Sequence, residues 1–471
     1  MQHSITAQAQ AKEVSQKETY RLIIFDPAGT GILLESQGSK YRLPEIEIPR
    51  FTRPAKEVTE LLRSSLNLSS VFLFSGVLEE FPNASYFAVL ESKEGLRLPP
   101  QGMEWFTIHH ALSNLFFSKH DCHALKSSHA RLTSRVQTKS SEPFARLGWM
   151  RELQDWVGSI IRPLGMELRS FKQLNGCETF SLIRFATTQQ PVWFKAVGEP
   201  NLHEYGISIA LARLLSKYVP SILATKPEWH GWLMTDGAGI TLDEVQNPSA
   251  WQTAVTTLAD LQIDSIGKRD ELLEAGCRDS RARTLLELVD PFLDAMADLM
   301  QQQIKVPPAI LSRHELCDVG ATLKSALCCM ESLDIPYTLG HSDLNPGNIL
   351  VSSERCVFID WAEAHVGHPF LTFEYLISHL RKDYPTLTRF EDAIRSSYAQ
   401  RWQSVSLPEH VSEAFLFSPL VAVFAYAVAG NSWRDPERLK FPQVPGYLRS
   451  LTRRMKQEAD SVPRRRVECI N

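Results

Sequence analysis

The sequence lacks a strong excess of charge of either sign, since 50 Lys and Arg residues stand against 54 Asp and Glu residues. A formal net charge of -4 offers no strong field for nucleic acid or an anionic membrane, so neither is expected as a partner. Long apolar runs are also missing. The most apolar stretch, Phe415 to Gly430, has sixteen residues and contains Ser418 and Pro419. A membrane span needs ~20 residues, so this stretch predicts a buried helix.

Cysteine pairs of the Cys-x-x-Cys type are absent, and the eight cysteines lie at irregular spacings. This distribution argues against both a disulfide framework and a cysteine zinc site. A histidine-rich stretch lies between residues 109 and 129, but its spacing matches no familiar zinc frame. The first sixteen residues hold no apolar core of a secretory signal. We therefore expect a reducing, cytoplasmic location.

A chain of 471 residues is too long for one ordinary core, so two or three domains are expected. The segment from Tyr20 to Leu132 mixes strand-like runs with the amphipathic stretch "FTRPAKEVTELLRSSLNL", which predicts a helix. We place a first α/β domain at residues 1–135 and a polar linker at residues 136–148. The polar linker predicts few contacts between the segments that it joins.

Three strand-like runs follow a predicted helix at "WMRELQDWVGSIIR", and short turns separate them, which predicts an antiparallel sheet. A helix at "NLHEYGISIALARLLSKY" and a strand at "GWLMTDGAG" come next. From Ser249 onward the pattern is mostly helical. We therefore divide the rest of the chain into a mixed part at residues 149–237 and a helical part at residues 238–471, an α+β organisation.

The motif "LGHSDLNPGNILV" carries the clearest chemistry. His341, Asp343 and Asn348 fit the spacing H-x-D-x-x-x-x-N, which is typical of the catalytic loop of kinases. Such a carboxylate orients an acceptor hydroxyl and takes its proton, and such an amide oxygen reaches a magnesium ion. A second predicted strand, "CVFID", delivers Asp360 as a further metal ligand. His341 is expected to pack and hydrogen-bond beneath the loop.

Candidate nucleotide contacts lie upstream in the order that a kinase requires. Lys195, in the middle of the strand "VWFKAV", is a candidate anchor for the α- and β-phosphates. Its acidic partner is expected to be Glu204 at the start of the next helix, with Glu199 as the alternative.

The turn "QLNGCETFS" is expected to cover the phosphates, although it holds a single glycine, Gly176, where kinases have a glycine-rich loop. Ser181 is either a phosphate contact or an ordinary polar strand residue. The end of "WLMTDGAG" suits a hinge whose backbone pairs with adenine, at Met234, Thr235 and Asp236.

From about Leu147 to the end, the sequence resembles the aminoglycoside phosphotransferase and choline kinase-like superfamily. The motifs "HSDLNPGNILV", "FIDWAEAHVGHPF", "VWFKAV" and "WLMTDGAG" carry this resemblance. It implies a protein-kinase-like bilobal fold and transfer of the γ-phosphate of ATP (or GTP) to a hydroxyl of a small molecule, with Mg²⁺. It also implies that Asp343 is the catalytic base, Asn348 and Asp360 the metal ligands, and Lys195 the phosphate anchor.

The N-terminal segment resembles a Nudix domain through "LIIFDPAGTGILLES" and "MEWFTIHHAL". The helix that carries paired glutamates in that family here reads "KEVTELL", in which Leu61 stands where a glutamate is expected. The glycines expected after "LP" are also absent. Fewer carboxylates predict weaker metal binding and a non-catalytic domain.

Two alternatives stay open at this stage. The C-terminal part is either an active small-molecule kinase or a pseudokinase-type nucleotide-binding scaffold, and the N-terminal domain is alternatively a nucleotide hydrolase. Glu374, Trp433 and Asp435 are candidates for the acceptor pocket. The sequence does not define the acceptor, the choice between ATP and GTP, or the oligomeric state.

Overall fold

A computed structural model describes residues 17–38, 40–78, 85–93, 99–114, 119–133, 142–352, 356–441 and 443–463. The chain divides into two compact units. The first comprises residues 1–205 and 222–236, and the second comprises residues 206–221 and 237–471.

The first unit begins with a mixed sheet of seven strands: β1 (Lys17–Phe25), β2 (Gly31–Gln37), β3 (Lys40–Arg42), β4 (Glu45–Pro49), β5 (Ser70–Leu78), β6 (Ser85–Ser92) and β7 (Met103–Thr107). The strand order is β3-β2-β1-β6-β5, while β4 pairs with β1 and β7 pairs with β2. Strands β1 and β6 run parallel, and the other pairs are antiparallel. Strand β1 is central, which explains its apolar end Leu22 to Phe25.

Helix α1 (Pro54–Leu66) lies between β4 and β5 in the chain, where the sequence predicts it. Pro54 occupies its first turn, and Asn67 ends it in the left-handed conformation. Ala55, Val58 and Leu62 are buried, at the spacing of one helix face. Two further helices are α2 (Ile108–Asn114) and α3 (Lys119–Thr133).

Helix α4 (Trp149–Ile161) leads to a second sheet in the same unit: β8 (Leu168–Gly176), β9 (Ser181–Thr187), β10 (Val192–Ala196), β11 (Ile222–Lys226) and β12 (Gly231–Thr235). The order β11-β12-β10-β9-β8 is antiparallel throughout. The three predicted strands are present, and sequence reasoning missed β11. Helix α5 (His203–Leu214) begins in the first unit and continues into the second.

The two sheets of the first unit share one hydrophobic core. Phe25 and Phe74 of the first sheet belong to the same buried cluster as Trp149 of α4 and Phe194 of the second sheet. The expectation that few contacts cross the linker is therefore wrong. The polarity of a linker shows only that two segments are joined by an exposed connection. Their packing depends on apolar surfaces, here the apolar face of α4, which contacts both sheets. Residues 134–141 of this linker lie outside the described residues.

The second unit is mainly helical, as predicted. Its longer helices are α6 (Pro248–Asp264), α8 (Ala282–Gln301), α9 (Arg313–Ser332), α10 (Phe370–Asp383), α11 (Glu391–Trp402), α12 (Pro408–Ala429) and α14 (Gln443–Ser461), with short helices α7 (Arg269–Glu274) and α13 (Pro436–Leu439). The mixed α+β class expected from the sequence is confirmed.

Short strands of the second unit form two three-stranded sheets: β13 (Ile240–Thr241), β16 (Ile349–Val351) and β17 (Cys356–Phe358) in one, and β14 (Arg278–Ser280), β18 (Ala364–Gly367) and β15 (Thr338–His341) in the other. Strand β15 ends at His341, β16 begins directly after Asn348, and β17 ends two residues before Asp360.

Helix α12 contains the apolar stretch noted in the sequence. Among the described residues it alone has the length and composition of a membrane span, and 67% of its most apolar window is buried inside the protein. Buried members such as Phe417, Leu420 and Phe424 pack with α8 and α9. The helix therefore serves as a core helix of this unit, as the sequence predicts.

Candidate active site

The turn after β15 is shaped by its own side chains. The Asn345 side chain accepts a hydrogen bond of 3.0 Å from the Gly347 N–H, and Pro346 begins a single 3₁₀ turn that ends at Asn348. The Asn348 N–H donates to the Asn345 carbonyl over 2.9 Å. An Asn-Pro-Gly sequence is well suited to such a turn. The chain is thereby brought back from Asp343 to β16.

His341 is buried beneath this turn. Its Nδ1 accepts the Asp343 N–H at 3.1 Å, so in the neutral ring Nε2 carries the proton and donates to the Ile359 carbonyl at 3.2 Å. Burial lowers the pKa of His341, which favours this neutral form. The Trp361 ring lies against it, with 4.8 Å between ring centroids. The imidazole thus ties the Asp343 turn to the segment that precedes Asp360.

The Asp343 carboxylate is oriented by a tyrosine that sequence reasoning missed. The Tyr375 hydroxyl, on α10, donates to Asp343 Oδ1 at 2.9 Å. The Asn345 amide lies 3.4 Å from the same oxygen. Burial, together with the nearby Tyr426 and the Asp343 charge, raises the pKa of Tyr375, so the phenol stays protonated and remains a donor.

Tyr375 is itself supported from the other side. Its ring centroid lies 5.0 Å from that of Tyr426, whose hydroxyl is 3.1 Å from the Tyr447 hydroxyl. A chain of three tyrosines from α10, α12 and α14 therefore ends at the Asp343 carboxylate. Nothing in the motif spacing indicates this contact, because Tyr375 lies 32 residues beyond Asp343.

Asn348 is held by its own amide nitrogen. Its Nδ2 donates to the Asp343 carbonyl at 2.9 Å, and its backbone carbonyl accepts the Ile359 N–H at 3.0 Å. With the nitrogen engaged, the amide presents its oxygen as the remaining acceptor, which is the atom that a hard cation prefers.

Asp360 follows β17 and has a left-handed backbone, with φ 65° and ψ 61°. This conformation is uncommon for a residue other than glycine, and Asp is among the residues that adopt it more often than most. Behind it, the Trp361 indole donates to the Phe358 carbonyl at 3.2 Å. Asp360 is exposed and precedes a 3₁₀ turn. It lies just beyond the end of β17, where the sequence predicts it.

In the first unit, Lys195 and Glu204 form a buried ion pair through the lysine Nζ and the glutamate Oε1. Lys195 lies in β10, opposite Leu182 of β9 and Trp232 of β12. Glu199, the alternative partner considered for Lys195, is exposed. The structure therefore places Glu204 against the lysine.

The other residues predicted to contact a nucleotide lie on the sheet that contains β8 to β12. Gly176 and Ser181 are opposite each other at the ends of β8 and β9, and the turn between them is closed by the Cys177 N–H bonding the Phe180 carbonyl at 2.9 Å. The Ser181 hydroxyl is buried and, among the described residues, has no hydrogen-bond partner.

The hinge candidates end β12, where Met234 and Thr235 pair with Trp193 and Val192. The Asp236 carboxylate accepts the Trp193 indole N–H at 2.8 Å.

Two further contacts that support the loop carry no sequence signal of their own. Thr372 Oγ1 accepts the His341 N–H at 2.9 Å, and the Ser342 hydroxyl lies 3.0 Å from His365 Nδ1. Burial, helped by the Arg278 charge, lowers the pKa of His365 to about 3, so it remains neutral.

The acceptor-pocket candidates have structural partners. Glu374 is buried in an ion pair with Arg395, at 2.7 Å. Trp433 is buried against Phe292, and Asp435 caps α13. Within the described residues, no group of three or more His, Cys, Asp or Glu side chains is placed to hold a metal ion, and this includes the histidine-rich stretch.

Residues 201–408 match the Phosphotransferase enzyme family. This match covers Glu204, the motif from His341 to Asn348, and Asp360, and it indicates a phosphotransferase-family domain in the C-terminal part of the chain. Within residues 201–408, the predicted resemblance to a phosphotransferase family is thereby confirmed. No curated protein sequence matches the chain.

Solved structures similar to the chain include kinases and a phosphotransferase. Choline kinase LicA from Streptococcus pneumoniae is 14% identical, with 65% of this chain and 99% of the kinase covered and a TM-score of 0.43. The Plasmodium vivax ethanolamine kinase is 14% identical over 73% of this chain and 91% of that one, with a TM-score of 0.43. A spectinomycin phosphotransferase in complex with ADP and spectinomycin is 12% identical over 65% and 98%, with a TM-score of 0.38.

Proposed function

We propose that residues 149–471 form a kinase-like phosphotransferase that moves the γ-phosphate of ATP (or GTP) to a hydroxyl of a small molecule, with Mg²⁺. The observation that carries this proposal is the Asp343 turn inside the matched family region. There, Tyr375 orients the carboxylate and Asn348 is locked with its amide oxygen available.

Asp343 is the proposed catalytic base. Tyr375 and Asn345 both approach Oδ1, so the acceptor hydroxyl would donate its hydrogen bond to Oδ2. The hydroxyl would lose its proton to Oδ2 as its oxygen bonds the γ-phosphorus and the bond from that phosphorus to the departing nucleoside diphosphate breaks. His341, neutral and buried, has a positioning role through the Asp343 N–H.

Asn348 and Asp360 are the proposed ligands of Mg²⁺. The donor set fits the ion, since both side chains offer oxygen and Mg²⁺ takes one or two protein ligands together with phosphates and water. When bound, the ion would neutralise charge on the transferring phosphate. The hydrogen bond from Asn348 Nδ2 to the Asp343 carbonyl fixes which end of the amide is a ligand.

Lys195 is the proposed phosphate anchor, and Glu204 holds its ammonium group in position. The turn from Gly176 to Ser181 would cover the phosphates, and the backbone of Met234, Thr235 and Asp236 would meet the base. The Asp236 carboxylate already accepts from Trp193, which supports a backbone role for the segment.

For the N-terminal domain we propose a Nudix-like fold without hydrolase activity. Glu60, which would be a metal ligand in an active domain, instead lies 3.4 Å from Lys172 Nζ in an ion pair. Leu61 next to it is half-buried and has no metal-binding group.

The test is consumption of MgATP and MgGTP by the purified full chain against a panel of amino sugars, nucleosides, amino alcohols and sugars, with the Asp343→Asn variant as the matched control. Acceptor-dependent ADP or GDP formation that the control loses would support the proposal. Tight MgATP binding with no acceptor consumed across the panel would favour the alternative, a nucleotide-binding scaffold.

A further inference from the structure

The N-terminal domain contacts the hairpin that is proposed to cover the nucleotide phosphates. This hairpin consists of β8 and β9, and β8 is the edge strand of the second sheet. Gln173 of β8 is 4% exposed. Its Oε1 accepts the Phe72 N–H at 2.9 Å, and its Nε2 donates to the Phe72 carbonyl at 3.0 Å. One side-chain amide thus satisfies both backbone groups of a residue in β5.

Both strands are irregular where this contact forms. The pairing of β5 with β6 shifts register between Phe72 and Phe74, and the pairing of β8 with β9 shifts between Gln173 and Asn175. Such bulges re-aim side chains and free backbone groups from the ladder. Without Gln173, the Phe72 N–H and carbonyl would be left in a buried environment, where an unsatisfied polar group is costly.

A second contact reaches the turn itself. The Arg131 guanidinium, at the end of α3, bonds Glu178 at 3.3 Å and Glu142 at 2.7 Å. It also lies 4.3 Å from the ring centroid of Phe74. The Glu178 carbonyl accepts the Phe144 N–H at 3.2 Å. Glu178 is in the middle of the turn between Gly176 and Ser181, so its position is fixed by residues outside the hairpin.

Gly176 is explained by the same contact. A Cβ built at this residue would lie 2.7 Å from Gln173 Nε2 and 3.7 Å from the Ala55 Cβ of helix α1. The absence of a side chain therefore leaves room for the amide that binds Phe72.

From these contacts we propose that the N-terminal domain acts as a clamp on the phosphate-covering hairpin, with Gln173 and Arg131 as its positioning residues. This inference rests on the proposed nucleotide role of the turn. Among the described strands, β8 pairs with β9 alone, so this edge strand is held to the sheet on one side only. Attachment of both the edge strand and the turn of the hairpin reduces the conformational freedom that nucleotide binding must otherwise remove.

The test compares the Gln173→Met and Arg131→Ala variants of the full chain with Lys172→Ala. Lys172 lies next to Gln173, and its ion pair with Glu60 links the same two segments, but the two side chains are 50% and 36% exposed. A single exposed pair contributes little, whereas Arg131 joins two carboxylates and lies over the Phe74 ring. KM for MgATP in Lys172→Ala is therefore expected to stay within about twofold of the value for the unsubstituted protein.

The first readout is nucleotide kinetics. Each clamp variant loses two hydrogen bonds, and only part of their free energy is expected to affect nucleotide binding. KM for MgATP is therefore expected to rise about 3- to 10-fold, with kcat changed less. A merely structural role would reduce the amount of folded enzyme, which lowers the apparent kcat and leaves KM unchanged.

The second readout does not require activity. Cys177 is half-buried in the turn, Cys317 is exposed and Cys356 is buried elsewhere. In nucleotide-free protein, the rate of Cys177 alkylation by iodoacetamide, followed by peptide mass spectrometry, is expected to rise at least about threefold in both clamp variants. Alkylation of Cys317 and Cys356 should not change, since the opening is local.

Unchanged Cys177 alkylation in a folded Arg131→Ala variant would overturn the clamp, even if Gln173→Met fails to fold. Faster Cys177 alkylation in Lys172→Ala equal to that in the clamp variants would also overturn it. Absence of phosphotransfer in the unsubstituted protein would refute the proposed function. It would leave the clamp testable, because Cys177 alkylation does not depend on activity.

Discussion

Replacement of Glu204 by Leu should destabilise the first unit far more than replacement of the whole ion pair. The Lys195 and Glu204 side chains are 9% and 3% exposed, so Glu204→Leu removes the carboxylate that neutralises a buried ammonium group. Breaking a buried pair in this way typically costs about 3–5 kcal/mol of the free energy of unfolding. An apolar pair of similar volume, Lys195→Met with Glu204→Leu, is expected to recover most of that loss.

The double variant separates stability from function. If Lys195 holds the nucleotide phosphates, its loss removes a hydrogen bond between charged groups, which contributes about 1.5–3 kcal/mol. That difference corresponds to a roughly 10- to 150-fold weaker affinity for MgATP. The double variant should therefore be stable but bind MgATP poorly. Urea unfolding followed by tryptophan fluorescence measures the first quantity, and titration calorimetry measures the second.

A stable double variant with the MgATP affinity of the unsubstituted protein would show that the pair is structural, and would remove Lys195 from the nucleotide site. The control is Lys17→Ala in the same unit. Lys17 pairs with Glu47, but the side chains are 61% and 56% exposed, so neither stability nor affinity is expected to change appreciably.

Four further outcomes are expected. Asp343→Asn should lower turnover roughly 10²–10⁴-fold with MgATP affinity retained, and near-normal turnover in the folded variant would exclude Asp343 as the base. Tyr375→Phe should lower kcat about tenfold, because the carboxylate loses one charge-assisted hydrogen bond; an unchanged kcat would contradict its positioning role. Asp360→Ala should weaken binding of ATP with Mg²⁺ but not in EDTA, and equal affinities of variant and parent for MgATP by calorimetry would contradict the metal assignment. The full chain should not hydrolyse nucleoside diphosphate compounds, and hydrolysis that disappears on Glu60→Gln would refute this.

Local patterns predicted the elements that carry the candidate site. The spacing of His341, Asp343 and Asn348 is contained in eight residues, and the turn residues between them determine its shape. The helical periodicity of its apolar residues predicts helix α1, and strand-like runs separated by short turns predict strands β8 to β10. Strand β11 was missed because "ILATK" is short and alternates weakly.

Long-range contacts were beyond the reach of the sequence. Tyr375 resembles any other helical tyrosine until α10 packs beside the Asp343 turn, and Thr372 resembles an ordinary helix residue until it accepts the His341 N–H. The polar linker was misinterpreted for the same reason. Its composition predicts a connecting segment, but the core shared by Phe74 and Trp149 depends on tertiary packing.

The structure gives Gly176 a role that its sequence context does not suggest. In the sequence, Gly176 is the single glycine of a turn that is expected to cover the phosphates. In the structure, a side chain at this position would first meet the Gln173 amide, which is bonded to Phe72. The requirement for glycine thus arises from the clamp as well as from any nucleotide. A substitution at Gly176 would disturb both, which is why Arg131, outside the hairpin, is the residue that separates the two effects.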